Sequence, residues 1–294
     1  MARDQFHDGN TKAPYIEPGH TCVVQRARLV TAICTLAIVV CLPAFACAQS
    51  PFYTDDAEVA ARGRLHVESF DEYDWLPSSQ SPHRQQNTFN MKVNYGLGRG
   101  LELDIDSPLL TIVNEPGTVP LKPVGFGDTN FGVKYQAREE RHDSAWPALA
   151  FVTYVEVPTG DTTTGLGSGL VDTWIYGVLQ KTLARDIVLH LNGGYLFTGN
   201  TSTGVVGITT ARGHVATIGG SLVKKVSEAV TLGVDVTGAA TRNADLNRAQ
   251  LQAMLGGNYA LRGDFTLDLG LIVGRFEASP RIGVLIGFSW DVPK

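Results

Sequence analysis

Cysteine is nearly missing, and where it occurs it cannot serve a fold. Cys22, Cys34, Cys41 and Cys47 are the only four in 294 residues. None lies beyond residue 47, so disulfides, thiol chemistry and thiolate metal sites are excluded from the rest of the chain. Charge is also sparse. Only 18% of residues are charged, against roughly 25% in ordinary soluble domains. Acidic residues outnumber basic ones, 29 to 24, for a net charge of −5. That balance excludes nucleic acid as a partner, because phosphate binding needs clustered Lys and Arg. Long apolar runs are absent after the first 48 residues, so no transmembrane helix is expected there. A mean hydropathy of +0.01 is likewise too polar for a bundle of membrane helices. Neither a Gly-x-Ser-x-Gly elbow nor a His-Glu-x-x-His pair occurs. No enzyme, cofactor or metal is therefore expected; His66, His83, His142, His190 and His214 stand outside any catalytic motif.

What is present begins with a processing segment. Arg26 and Arg28 precede a 14-residue apolar stretch, Leu29 to Leu42, which is too short to span a bilayer comfortably. Pro43 then breaks the helix, and Ala46-Cys47-Ala48 supplies the small residues of a signal-peptidase site. Residues 1–48 are expected to be an N-terminal extension plus signal peptide, cut after Ala48. A lipidated Cys47 is the competing reading, disfavoured by Phe45. Residues 49–63 are expected to be a periplasmic N-terminal segment or a plug, and residues 64–294 a barrel.

The barrel expectation comes from a hydrophobic period of 2. Phe89, Met91, Val93, Tyr95 and Leu97 alternate with Thr88, Asn90, Lys92, Asn94 and Gly96. Leu101, Leu103 and Ile105 alternate with Glu102, Asp104 and Asp106. Twelve such segments recur, near 64–74, 86–97, 101–108, 127–138, 146–157, 171–183, 187–197, 214–226, 230–240, 248–261, 265–274 and 281–292. Most have the length of a tilted bilayer-crossing strand. Tight turns at 98–100, 184–186, 227–229 and 262–264 alternate with long polar loops around 75–85, 109–126, 158–170 and 198–213, the short-turn, long-loop habit of outer-membrane barrels. The alternation is weaker at 139–145 and 275–280. The fold class is therefore all-β, a closed antiparallel transmembrane barrel of about twelve strands, located in the outer membrane and bathed in its lipid. A soluble β-sandwich would show the same alternation; the number of polar residues on the opposite face, combined with the even strand count, favours the membrane barrel. Tyr95, Tyr135, Tyr195, Phe197, Tyr259, Phe265, Phe288 and Trp290 are candidates for aromatic girdles.

Two further signals concern assembly and family. Arg281-x-Gly283-x-x-Ile286-x-Phe288 resembles the terminal signal read by the barrel-assembly machinery, which is thereby an expected partner. Gly125-Phe126-Gly127-Asp128-Thr129 opens one strand. Val157-Pro158-Thr159-Gly160-Asp161 closes another, followed by Gly165, Gly167, Gly169 and Asp172. In these motifs the chain resembles the outer-membrane protein family assigned to the MetA pathway of phenol degradation. The resemblance implies an outer-membrane, channel-like role toward aromatic compounds and brings no catalytic residues. Physically, Gly127-Asp128 and Pro158-Thr159-Gly160-Asp161 are turn chemistry. A calcium site on Asp128, Asp161 and Asp172 is the less favoured reading.

The lumen is the remaining place for function. Glu102, Asp104 and Asp106 form an acidic ladder on one inward face. Lys92 and Asn94 flank it on one side; Asn130, Lys134 and Gln136 flank it on the other. His190 is expected mid-strand and inward. A self-satisfied polar interior with cross-strand Glu–Lys pairing is one reading; a cation-favouring constriction is the other. Together they point to a substrate-specific channel for small, aromatic or hydrophobic solutes, with a non-transporting structural or surface-interaction barrel as the alternative.

Overall fold

A computed structural model describes residues 51–141, 144–198, 213–241 and 249–293, all within the unit Phe45–Lys294. The leader, His142 and most of the 198–213 loop lie outside the described residues. Alternating apolar and polar side chains fold as fourteen strands: β1 (Leu65–Trp75), β2 (His83–Gly98), β3 (Leu101–Asp106), β4 (Leu109–Asn114), β5 (Val124–Phe126), β6 (Thr129–Arg138), β7 (Ala148–Val157), β8 (Asp172–Ala184), β9 (Ile187–Thr198), β10 (Gly213–Lys225), β11 (Val230–Thr241), β12 (Gln250–Arg262), β13 (Phe265–Gly274) and β14 (Ile282–Asp291).

Fourteen strands make a ring of twelve. Each strand pairs antiparallel with its neighbour, and β1 closes the ring by pairing with both β2 and β14. Closure removes the free edges that an open sheet of this width would expose. The surplus arises because two wall strands are interrupted. β2 pairs with β3 through Lys92–Gly98 and with β4 through His83–Phe89, so β3 and β4 are one wall position broken at Ser107-Pro108. β5 pairs with β4 and β6 with β3, the break falling at Gly127-Asp128.

This corrects the expectation of a plain loop over 109–126: strand pairing continues through much of it. The break is legible physically, since Pro108 has no N–H to give the ladder. Its carbonyl instead accepts the Gly127 N–H at 2.8 Å. His83, expected in a loop, likewise opens β2 and bonds Asn114 Oδ1 at 2.6 Å.

The two faces are chemically inverted relative to a soluble sandwich. Leu103, Phe131, Phe151, Leu255, Leu269 and Ile286 are among the large apolar side chains left exposed on the outer wall. Inside, buried polar and charged residues outnumber buried apolar ones among the described residues. This is the arrangement a bilayer rewards and water alone does not. At the short-turn end, Phe265 stacks on Phe288 at 5.4 Å between ring centres, and Tyr95 and Tyr135 stand on the same outer face. Toward the long loops, Tyr195 meets Phe197 edge-on at 5.0 Å. In the tight β2–β3 connection Gly98, Arg99 and Gly100 all have positive φ, the twist that a two-residue hairpin requires.

Candidate channel lumen

All eight inward candidates face the lumen, but their partners are not those of a self-contained wall. Glu102 stands opposite Lys134 in register. Lys134 Nζ nevertheless bonds Asp55 Oδ1 at 2.9 Å and Asp56 Oδ1 at 3.0 Å, while Glu102 accepts the Ala60 N–H. The cross-strand Glu–Lys pairing expected from the alternation is thus displaced by groups from residues 51–64. Those residues run inside the barrel without forming a strand.

Their contacts are dense on one wall. Tyr53 donates its hydroxyl to Glu72 Oε2 at 2.6 Å. Asp55 accepts from Tyr176 OH at 2.7 Å. Ala57 donates its N–H to Gln180 Oε1 at 3.0 Å, and its carbonyl accepts from Gln136 Nε2 at 2.8 Å. Burial alone would raise the pKa of Asp55. Lys134 and Lys92, together with the hydrogen bonds it accepts, hold it instead at about 2, so it is ionised at neutral pH.

On the other wall the fit is one of shape. A Cβ on Gly219 would lie 2.8 Å from Thr54 Oγ1, and one on Gly233 would lie 2.8 Å from Phe52 Cζ. At each the nearest atom belongs to the inserted segment. Phe52 packs with Met254, Ile272 and Leu285 in a small apolar cluster. Asp235 is the polar exception here, accepting the Tyr53 N–H at 2.9 Å and the Thr54 hydroxyl.

The other candidates fall into local networks. Asp104 accepts from Tyr154 OH at 3.0 Å, and Asp106 accepts from Asn130 Nδ2 at 3.0 Å. Asn94 stands opposite Asp104 in register across β2 and β3. Lys92 lies 3.9 Å from Glu68. His190 Nδ1 meets Ser221 Oγ at 2.9 Å.

Toward the long-loop end the lumen opens into a cavity of about 380 Å³, with Pro51–Asp55 along its lower side. Trp174, Tyr176 and Tyr154 form one wall. Their rings pack in series, at 4.4 Å for Trp174–Tyr176 and 6.4 Å for Tyr154–Tyr176. Asp106, Glu156 and Asp172 line the upper part. Sequence reasoning singled out Asp106, and Asp172 only as a motif residue; it missed Glu156 and the aromatic wall. The alternation of β7 and β8 carried the signal, since Tyr154, Glu156, Trp174 and Tyr176 occupy inward positions.

The glycine-rich motifs build a loop latch beside this mouth. Asp128 accepts backbone N–H groups from Gly160 at 2.9 Å and Ser168 at 2.7 Å. Thr159 donates its hydroxyl to the Gly127 carbonyl at 2.9 Å. A Cβ on Gly125 would press on Leu166, which packs with Leu110 and Ile112. Asp161 closes its own turn: hydrogen bonds from Thr163, then Thr164, hold its carboxyl below the usual range. Among the described residues no group of three or more His, Cys, Asp or Glu is arranged to hold a metal. On β14, Gly283 faces inward, where a Cβ would meet Asp74. Ile286 and Phe288 point outward from the same strand, and Arg281 immediately precedes it.

A closed ring of twelve antiparallel strands, apolar outside and polar within, is an outer-membrane β-barrel. The fold is shared with an outer membrane channel from Pseudomonas putida F1, at TM-score 0.59 and 13% identity over 81% of this chain and 98% of that one. It is shared also with the KdgM porin (TM-score 0.52, 8% identity, 78% and 99% covered) and the NanC porin (TM-score 0.51, 13% identity, 78% and 100% covered). Residues 84–292 match the family model described as "Putative MetA-pathway of phenol degradation", and the chain belongs to that family. The inserted residues 51–64 precede the matched region. No curated relative matches the chain in sequence.

Proposed function

We propose that this barrel is an outer-membrane channel for small solutes, narrowed by its own N-terminal segment acting as a plug. The observation that carries the reading is the lumen: a polar wall whose buried charges are completed by residues 51–64, above which an aromatic-sided cavity remains. A twelve-strand ring is narrow to begin with, and the inserted segment narrows it further. Passage is therefore selective for small compounds rather than general diffusion. The aromatic wall and the family's assignment favour solutes with a flat apolar body. Export through a leader cut after Ala48, and insertion through the Arg281–Phe288 signal, complete the reading.

A non-transporting barrel is the second reading, favoured by the same segment if it never leaves its seat. Liposome swelling with phenolic solutes and small sugars separates the two. Flux of small solutes through the folded protein supports the channel; no flux from a barrel that still shows heat-modifiable gel migration sinks it.

A further inference from the structure

The lipid-facing wall carries one charge where the rest of it is apolar. Asp71 holds an outward position of β1, in line with Val67 and Trp75, and is exposed. Its register partners are Phe89 on β2 and Ile286 on β14, both exposed apolar side chains. Its depth follows from the ladder. Leu65, opposite the short-turn Tyr95, is six residues below Asp71, and Trp75 is four residues above it. With a rise of about 3.3 Å per residue and a tilt of about 40°, six residues climb about 15 Å of an apolar band about 25 Å tall. Asp71 therefore stands near the middle of that band. Among the described residues no other Asp, Glu, Lys or Arg faces outward between the two aromatic levels; Lys181 and Lys224 face outward by the short turns.

The same seam gathers other polar groups. Asn87 Nδ2 donates to Asp71 Oδ1 at 2.8 Å, and nearer the long loops Tyr73 OH donates to Gln85 Oε1 at 2.8 Å. Acyl chains offer neither a hydrogen bond nor a counter-charge, so a carboxyl facing them is costly in proportion to its depth. Asn87 relieves one oxygen only. The same amide nitrogen reaches the Glu72 carbonyl at 3.3 Å, a long contact that leaves an N–H to spare. As a clamp within one barrel the pair adds little. The backbone ladder already joins β1 to β2 through these positions, and apolar side chains there would face lipid without cost.

We propose that the outer face of the β1–β2 seam is where a second copy of this chain docks, in a dimer whose two-fold axis runs along the membrane normal. Such an axis joins equal depths and makes the contact isologous, so each Asp71 meets Asn87 of the second copy. The two carboxyls then lie diagonally across the axis and not opposite each other. Carboxyl and carboxamide complement each other in either charge form. Ionised, Asp71 accepts the spare N–H; protonated, it also donates to the amide oxygen. Phe89, Met91 and Ile286 supply an exposed apolar surround, and hydrogen bonds set in such a surround are what hold membrane-spanning elements together. The inference does not depend on what the lumen carries.

Sedimentation equilibrium of the refolded full-length barrel in density-matched micelles tests it, over a range of protein-to-detergent ratios and with reductant present so that the leader cysteines form no cross-link. A monomer–dimer equilibrium is expected. One substitution removes two symmetric contacts, so Asp71→Leu and Asn87→Leu should each weaken dimerisation about tenfold. Asp71→Asn keeps the hydrogen bonding and should stay within about threefold of the native chain. Thr153→Leu, on the outer face of β7, should change nothing. Heat-modifiable migration shows that each variant is folded. Should Asn87→Leu not fold, Asp71→Leu carries the test, because it only takes a polar group out of lipid. A barrel that is monomeric at every ratio overturns the proposal, as does a dimer indifferent to both leucine variants. A monomer that retains a phospholipid in native mass spectrometry, and loses it in Asp71→Leu, overturns it in favour of a lipid occupant.

Discussion

Two walls of one lumen hold the same peptide segment by different physics. The wall of β1, β3, β6 and β8 holds it by charge and hydrogen bonding through Glu72, Glu102, Lys134, Gln136, Tyr176 and Gln180. The wall of β10–β14 holds it mainly by omission, with glycine where a side chain would collide and an apolar niche for Phe52. The first kind of contact is directional and costly to leave half-made. The second is tolerant of charge but intolerant of volume. A segment seated between them has its register set from one side and its depth from the other.

The largest break in that comparison is to remove the shared object. Deleting residues 49–60 should raise single-channel conductance several-fold in planar bilayers, while leaving the barrel able to show heat-modifiable migration. Unchanged conductance would mean the segment does not obstruct the path.

Lys134→Met attacks the charged wall. Its side chain is only 5% exposed and its ammonium serves two carboxylates. Stripping one partner from a buried ion pair typically costs about 3–5 kcal/mol. The expected result is an earlier thermal transition together with a conductance rise approaching that of the deletion. If stability falls and conductance does not move, the pair supports the wall and not the seat.

Gly219→Val attacks the shaped wall. Overpacking of this kind costs about 1–3 kcal/mol, and Thr54 must leave Asp235 to relieve it. A smaller conductance rise than for Lys134→Met is expected, with unchanged ion selectivity. Asp104→Asn, by contrast, should leave conductance nearly constant and reduce cation preference in reversal-potential measurements. No change in selectivity would end the acidic-constriction reading.

The smallest effect over ordinary conditions is that of pH. Asp55 in the inserted segment is held at about 2 in the folded protein, against an ordinary value of 3.8. A depressed carboxylate stabilises its seat fully above its ordinary pKa and loses that contribution as pH falls through the folded value. The Asp55 contribution should therefore stay constant as pH falls from 8 to 5, and conductance should rise as pH is lowered from about 4 toward 2. In Asp55→Asn that acid-triggered rise should be blunted.

Much of the wall was readable because it is local. Ile187–Thr198 and Phe265–Gly274 fall within a residue of the segments expected from alternation alone. The inward placement of Glu102, Asp104 and Asp106 follows from parity along a single strand. Pairing was much less readable. Lys134 and Asp55 are 79 residues apart, and no period in the chain connects them. Lys134 therefore had a nearer candidate in Glu102 and took a distant one. Glu156 and Trp174 were missed for a related reason: each sits on an ordinary alternating strand, and only the ring's curvature sets them around one space.

The scarcity of cysteine beyond residue 47 keeps its meaning. The period-2 alternation beyond the leader left a barrel wall or a sandwich as the two readings. Strict alternation with apolar residues facing outward is satisfied when a closed ring meets lipid. Sequence by itself determined the strands, their faces and the turn-and-loop rhythm, because side-chain direction has a two-residue period fixed by backbone geometry. Tertiary structure alone decided the pairing of β4 with β2 and β5 beyond the breaks, the seating of residues 51–64 and the partners of the buried charges. Those depend on which strands closure brings face to face across the lumen, a relation that no local periodicity encodes.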